Sequence, residues 1–120
     1  FTPLATGACA VTDARCQRDP LQLAQTIRDH GVTVLVTSAP VLQLLADESL
    51  PNLRHAVNVG AAMSVEVCTT LQRAFGQSLS IHNLYGCTES PCLFWTHDGA
   101  IPPGITLVPA GAPQPGAEVA

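Results

Sequence analysis

The chain has 120 residues, enough for one domain with a modest core, and 47% of them are apolar while only 12% are charged, well below the usual quarter. Five arginines, nine acids and no lysine give a net charge of −4, which argues against nucleic acid or an anionic membrane as a partner. Without lysine these residues hold neither a Schiff base nor a lysine-bearing phosphate loop; the apolar runs are too short to span a bilayer, and with no signal peptide ahead of Phe1 a cytoplasmic location is expected. A surface so poor in charge is expected to be covered in part by something outside these residues.

Strand and helix signals then alternate. Gly7-Ala8-Cys9-Ala10-Val11 reads as a short buried strand. Asp19 is placed as an N-cap with Pro20 at the first helical position, and Gly31 closes that helix. Leu23, Ile27 and His30 share one of its faces. Val32 to Val36 is β-branched and almost wholly apolar, the pattern of a strand covered on both faces of a parallel sheet. Ser38 caps a short helix through Leu45, with Pro40 in its first turn, and His55 to Val59 forms the next strand before Gly60. Ser64 caps a third helix whose apolar positions Val67, Leu71, Ala74 and Phe75 share a face. Glu66 in its first turn and Arg73 in its last suit the helix dipole, and Gly76 ends it. Leu79-Ser80-Ile81 is the last clear strand and runs into a turn at Asn83-Leu84-Tyr85-Gly86.

This series predicts an α/β fold: a βαβ succession forming a parallel sheet with helices on its faces. Ligands of open sheets bind beyond the carboxyl ends of the strands. Val36-Thr37, Val59-Gly60-Ala61 and Asn83 to Glu89 all end at that edge, so the glycine turns are expected to line one crevice. From residue 91 to 120 the chain is rich in proline and glycine, without helical period, and reads as an extended segment running into a truncated strand at Glu118-Val119-Ala120.

The cysteines Cys9, Cys16, Cys68, Cys87 and Cys92 match no zinc spacing, because C-x₂-C is missing. Cys9 and Cys68 read as small buried hydrophobes. Four residues between Cys87 and Cys92 make an uncommon ligand spacing, so a metal or redox pair there is the weaker reading. No G-x-S-x-G elbow supports a hydrolase, and His82 reads as a packed or edge histidine rather than a base.

The richest chemistry lies in Ile81-His82-Asn83-Leu84-Tyr85-Gly86-Cys87-Thr88-Glu89-Ser90. Gly86 lets a ligand approach closely, Thr88 offers a hydroxyl to a phosphate oxygen, and Glu89 offers hard oxygens to Mg²⁺. Asn83-Leu84-Tyr85-Gly86-Cys87-Thr88-Glu89 resembles the N-x-Y-G-P-T-E motif of the adenylate-forming superfamily. That superfamily includes adenylation domains of nonribosomal peptide synthetases, acyl- and aryl-CoA ligases, and luciferases. Leu53 to Ala62 resembles its L-R-x-x-x-x-x-G-G-E segment and Val108 to Pro113 its V-P-I-G-x-P. Phe1 to Gly7 and Gly31 to Leu35 resemble two further stretches in register, so residues 1–120 resemble part of an adenylation (AMP-binding) domain, within its larger N-terminal core.

The resemblance implies roles. Thr88 would bond the phosphate of ATP or of the acyl-adenylate, and Glu89 would hold Mg²⁺. Gly60, Ala61, Ala62, Asn83, Tyr85 and Gly86 would surround the nucleotide. Val36, Val57, Val59, Leu84, Cys92 and Leu93 would line a substrate pocket, and their apolar character implies a hydrophobic amino or carboxylic acid. A carrier protein or CoA would then accept the acyl group in the full-length protein. Gly60-Ala61-Ala62 is closer to the acyl- and aryl-CoA ligases, whereas Asn83-Leu84-Tyr85 leans toward peptide synthetases or aminoadipate-reductase relatives. Cys87 replaces the motif's proline and removes a φ restraint. Because other catalytic groups of the family lie outside these residues, this piece alone is expected to be inactive. Three alternatives are a truncated, inactive relic with a structural or binding role in a larger synthase, an acyl- or aryl-CoA ligase segment, and a flavodoxin-like domain with another ligand.

Overall fold

Local signals set the helix ends. In a computed structural model describing residues 5–17, 19–87, 90–96, 101 and 103–113 (backbone alone at 17, 87 and 90–96), α1 spans Pro20–Asp29 and the Asp19 carboxylate accepts from Leu21 N at 2.9 Å. Pro20 fills a position whose N–H has no helical partner. The helix stops at Gly31, φ +58°, where Gly31 N–H reaches the Arg28 carbonyl and Val32 N–H the Ile27 carbonyl, the paired bonds of a Schellman end.

The elements that follow are β1 (Val34–Thr37), α2 (Ala39–Leu44), β2 (His55–Val59), α3 (Val65–Phe75) and β3 (Ser80–Cys87), then β4 (Ser90–Thr96) and β5 (Ala112–Pro113). Ser64 caps α3 by accepting from Val67 N at 3.2 Å, and Gly76 ends it at φ +64°. The sheet order is β1-β2-β3-β4-β5. The first three strands are parallel, as expected of a βαβ series, and β4 and β5 extend the sheet antiparallel. The fold is α/β.

One core lies on one side of the parallel strands. Ala56 of β2 and Ile81 of β3 pack with Leu42 of α2, its cap Leu45, Val67, Cys68 and Leu71 of α3, and Ala24 and Ile27 of α1. The expected parallel sheet with helices packed against it is present. Two crossovers stepping the same way with the usual right hand must put both helices on the same face. The opposite face carries Val34, Val36, His55, Val57, Val59, His82 and Leu84, exposed or half-buried along alternating strand positions. β1 is therefore an edge strand with one open face, Val34 being 50% and Val36 59% exposed, and not the doubly covered strand its composition suggested.

Two further expectations are corrected. Residues 8–13 form no strand, and Cys9 is exposed rather than buried, because nothing among the described residues pairs with that segment. Asn83 to Gly86 is not a turn. It continues β3, held by antiparallel pairing that sets Leu84 opposite Phe94 and Tyr85 opposite Leu93, with a register shift between Tyr85 and Gly86. Of residues 91–120, those at 91–96 and 112–113 are strand, while the expected truncated strand at 118–120 lies outside the described residues.

Candidate functional site

The carboxyl ends of β2 and β3 open into a cleft. β2 turns at Gly60, where φ is +77°, a conformation that costs any residue with a Cβ. The side-chain amide of Asn58 closes the turn by donating to the Ala61 carbonyl at 2.7 Å. Segment 106–108 runs antiparallel to 63–65: Val65 N–H reaches the Thr106 carbonyl at 3.0 Å, and Val108 N–H reaches the Met63 carbonyl at 2.8 Å. That pairing brings Leu107, Val108 and Ala110 to the mouth of the β2 turn. From the third side Asn83 donates through Nδ2 to the carbonyls of Pro109 at 3.0 Å and Val108 at 3.5 Å, and accepts from Asn58 Nδ2 at 2.7 Å.

The result is a cleft of about 320 Å³ lined by Gly60, Ala61, Ala62 and Met63 from the β2 turn, Asn83 to Gly86 from β3, and Leu107, Val108 and Ala110. Its volume lies at the lower end of small-ligand pockets, and its make-up of apolar walls with a polar side chain at one point is typical of them. Gly60 and Gly86 contribute backbone without side chains, so a flat group can lie close against either. No charged residue lines it among the described residues.

Gly60, Ala61, Ala62, Asn83, Tyr85 and Gly86, expected around a nucleotide, all meet in this cleft. Thr88 and Glu89 lie outside the described residues. The expected acid-pocket residues separate differently. Val36, Val57, Val59 and Leu84 share the open face of the sheet, with Val36 beside Val57 and Val59 beside Leu84 in register. Only Leu84 of these also lines the cleft. Val36 instead borders a second hollow of about 730 Å³ beside β1, walled by residues 8–11 and by Leu23, Ile27 and His30. Cys92 and Leu93 lie in β4, and their side chains, like that of Cys87, are outside the described set. The crevice therefore unites two of the three strand ends; Thr37 is not part of it.

Two histidines on the open face complete the picture. His55 Nδ1 lies 3.1 Å from His82 Nε2, with ring centroids 5.3 Å apart. Burial, and then repulsion from His55, hold the His82 imidazole below its ordinary pKa of 6.5. Sequence reading missed this pair, although neighbouring strands of an in-register parallel sheet could have suggested it. It also left Met63, Leu107, Val108 and Ala110 without a role. The Val108-Pro109-Ala110-Gly111 resemblance was the available signal for the last three. No group of three or more metal-ligating side chains is found among the described residues, and none of their helices is long and apolar enough to cross a membrane.

The sequence profile of the family described as "AMP-binding enzyme" matches residues 1–120, the whole chain. The chain belongs to that family. It is similar to the L-2-aminoadipate reductase of Schizosaccharomyces pombe, 37% identical over 94 residues covering 75% of this chain and 7% of the reductase. It is also similar to the L-proline--[L-prolyl-carrier protein] ligase of Streptomyces coelicolor, 32% identical with 98% of this chain and 24% of the ligase covered. Among solved structures, the nonribosomal peptide synthetase FmoA3 superposes with a TM-score of 0.82 at 29% identity, covering 94% of this chain and 13% of that one. The AMPPNP-bound form of the same protein gives 0.76 at 28%, with the same coverage. These residues are thus a segment of an adenylate-forming, peptide-synthetase-like adenylation domain, and they span only 7% and 24% of the two curated relatives' length.

Proposed function

We propose that this segment supplies the base-binding cleft and one wall of the acid pocket in an enzyme that activates a hydrophobic amino or carboxylic acid as its acyl-adenylate. The observation that carries this reading is the convergence of Gly60, Ala61, Ala62, Asn83, Tyr85 and Gly86 on one cleft. Those residues come from two separate segments, and chance gives no reason for all six to meet.

The reading fits the chemistry of the walls. A purine is flat and apolar on its faces with polar edges, which suits Gly60, Gly86, Leu107 and Val108 beside the Asn83 amide. The acid's side chain would lie against Val36, Val57, Val59 and Leu84, an apolar stretch of the open sheet face. In the reaction, a carboxylate oxygen of the acid attacks the α-phosphorus of ATP and the bond to the bridging oxygen breaks, releasing pyrophosphate. The chain contributes positioning rather than a nucleophile. Thr88 would hold a phosphate oxygen and Glu89 the Mg²⁺, which supplies charge neutralisation at the phosphates when bound. Both assignments rest on the motif. Either a carrier protein or CoA would take the acyl group.

ATP–pyrophosphate exchange on the full-length protein, across a panel of apolar amino, aryl and alkyl acids, tests this. Exchange is expected with at least one acid and is expected to fall at least a hundredfold in Glu89→Gln. Absence of exchange with every acid overturns the active-enzyme reading in favour of a relic.

A further inference from the structure

Two imidazoles interrupt the open face of the sheet, and the strand register fixes where. Side chains on that face stand in rows across the strands. Val59 and Leu84 form the row nearest the cleft, and Leu84 also lines the cleft itself. Val36, Val57 and His82 form the next row back, and Val34, His55 and Ser80 the row after that. Successive rows are two residues apart along a strand, roughly 7 Å. Moving away from the cleft, the face is therefore apolar in its first row and becomes polar over the next two.

The two rings bind each other. His55 Nδ1 lies 3.1 Å from His82 Nε2 and the ring centroids are 5.3 Å apart, so the rings meet through these nitrogens rather than face to face. Burial, and then repulsion from His55, hold His82 neutral at neutral pH. A neutral imidazole carries one N–H and one lone pair. Whichever ring donates, the outer nitrogen of His55 stays polar: an N–H when His82 donates, a lone pair when His55 does. His55 is the more exposed of the two rings, so this nitrogen is the one a ligand on the face can meet. A wholly apolar side chain lying over it would bury that nitrogen without a partner, which costs free energy.

We infer that the His55–His82 pair recognises the far end of the acid, so that the enzyme takes an amino or carboxylic acid with an apolar stem and a hydrogen-bonding tip. The inference rests on the acid-pocket reading of this face and narrows it. The acid's carboxylate reacts beyond the carboxyl ends of the strands, so its side chain runs back along the face from Leu84. The stem lies against Val59, Leu84 and Val57, and the tip reaches the histidines one to two rows behind. Switching which ring donates lets the pair meet either an acceptor or a donor at the tip.

The test is ATP–pyrophosphate exchange on the full-length protein with matched straight-chain and para-substituted aryl acids, each with and without an α-amino group. Members of a set differ only at the tip: methyl, hydroxyl, amide or carboxylate. In the parent, kcat/KM for at least one polar tip is expected to exceed that of its methyl match by about tenfold or more, the range that one unmet buried hydrogen bond produces. His55→Leu and His82→Leu are each expected to bring that ratio to unity or below. His55→Gln, which retains a donor and an acceptor, is expected to keep part of it. A purely structural role would lower polar- and methyl-tipped acids by one common factor and leave the ratio intact. Folded leucine variants that keep the parent ratio overturn the inference, as does a parent that takes methyl-tipped acids equally well or better. The parent panel decides the matter even if no variant folds. A parent that supports exchange with no acid overturns the adenylation reading itself and the inference with it, a result distinct from a preference for methyl tips.

Discussion

Replacing Gly60 with alanine separates the backbone's role in the cleft from its role in stability. At φ +77° the residue is in the left-handed region, and a Cβ built there meets no heavy atom within 4 Å. The cost is therefore conformational and not steric. Forcing an L-residue into this region costs roughly 1–2 kcal/mol, offset by roughly 0.4–1 kcal/mol because the unfolded chain loses freedom. A net loss of about 1 kcal/mol in urea unfolding is expected. Gly104, φ +80° and equally open, is the matched control outside the cleft, so Gly104→Ala should lose a similar amount. The two variants should differ in ATP binding. Relaxing φ at position 60 shifts Ala61 and Ala62, both cleft walls, and the Asn58–Ala61 bond. The ATP dissociation constant should rise about tenfold in Gly60→Ala, since roughly 1.4 kcal/mol corresponds to a decade, and stay unchanged in Gly104→Ala. Equal stability losses with unchanged ATP binding in both variants would refute the reasoning.

Other expectations follow from the core and the titrating groups. Leu71, 1% exposed in α3, should cost about 2–5 kcal/mol on Leu71→Ala, read by denaturant unfolding. Ser64→Ala removes the bond to Val67 N and should cost about 1 kcal/mol. Because the folded state holds the His82 pKa below 6.5 through burial and His55, the unfolded chain binds that proton more readily. This contribution to stability should therefore be complete above pH 6.5 and shrink as pH falls below it, and His55→Gln should weaken the dependence in pH-dependent unfolding. Burial pushes the Cys68 thiol up to about 11, so in the native protein a thiol reagent at pH 8 should label exposed Cys9 and spare Cys68 until unfolding.

Much of the framework is legible because it depends on local chemistry. Asp19 with Pro20, Gly31, Ser64 and Gly76 punctuate helices through bonds each residue makes within a few positions. That a glycine turn and a strand end reach one crevice was legible from the parallel order of the strands, whereas the choice of the six residues came from the resemblance to the adenylate-forming motifs. What was not legible depends on distant partners. Asn83 and Gly86 read as turn formers, yet pairing with β4 outweighs their local preference and carries β3 on to Cys87. The apolar run of β1 cannot reveal whether this segment or another covers Val34 and Val36. Leu107 and Val108 have no periodicity; their position follows from the bond between Val108 and Met63. Asn58 looks like a flaw in an apolar strand until Asn83, in the neighbouring strand, is seen to accept its proton.

If this cleft holds the base of a nucleotide, photolabelling of the full-length protein with 8-azido-ATP should mark its walls. The arginines lie only at positions 15, 18, 28, 54 and 73, and there is no lysine, so trypsin separates the candidate regions cleanly. A base in this cleft should place label, competed by ATP, on peptide 55–73 with the Gly60 turn or on the following peptide with Tyr85 and Leu107. Competable label confined to the peptides before Arg54, which wall the hollow beside β1, would contradict it.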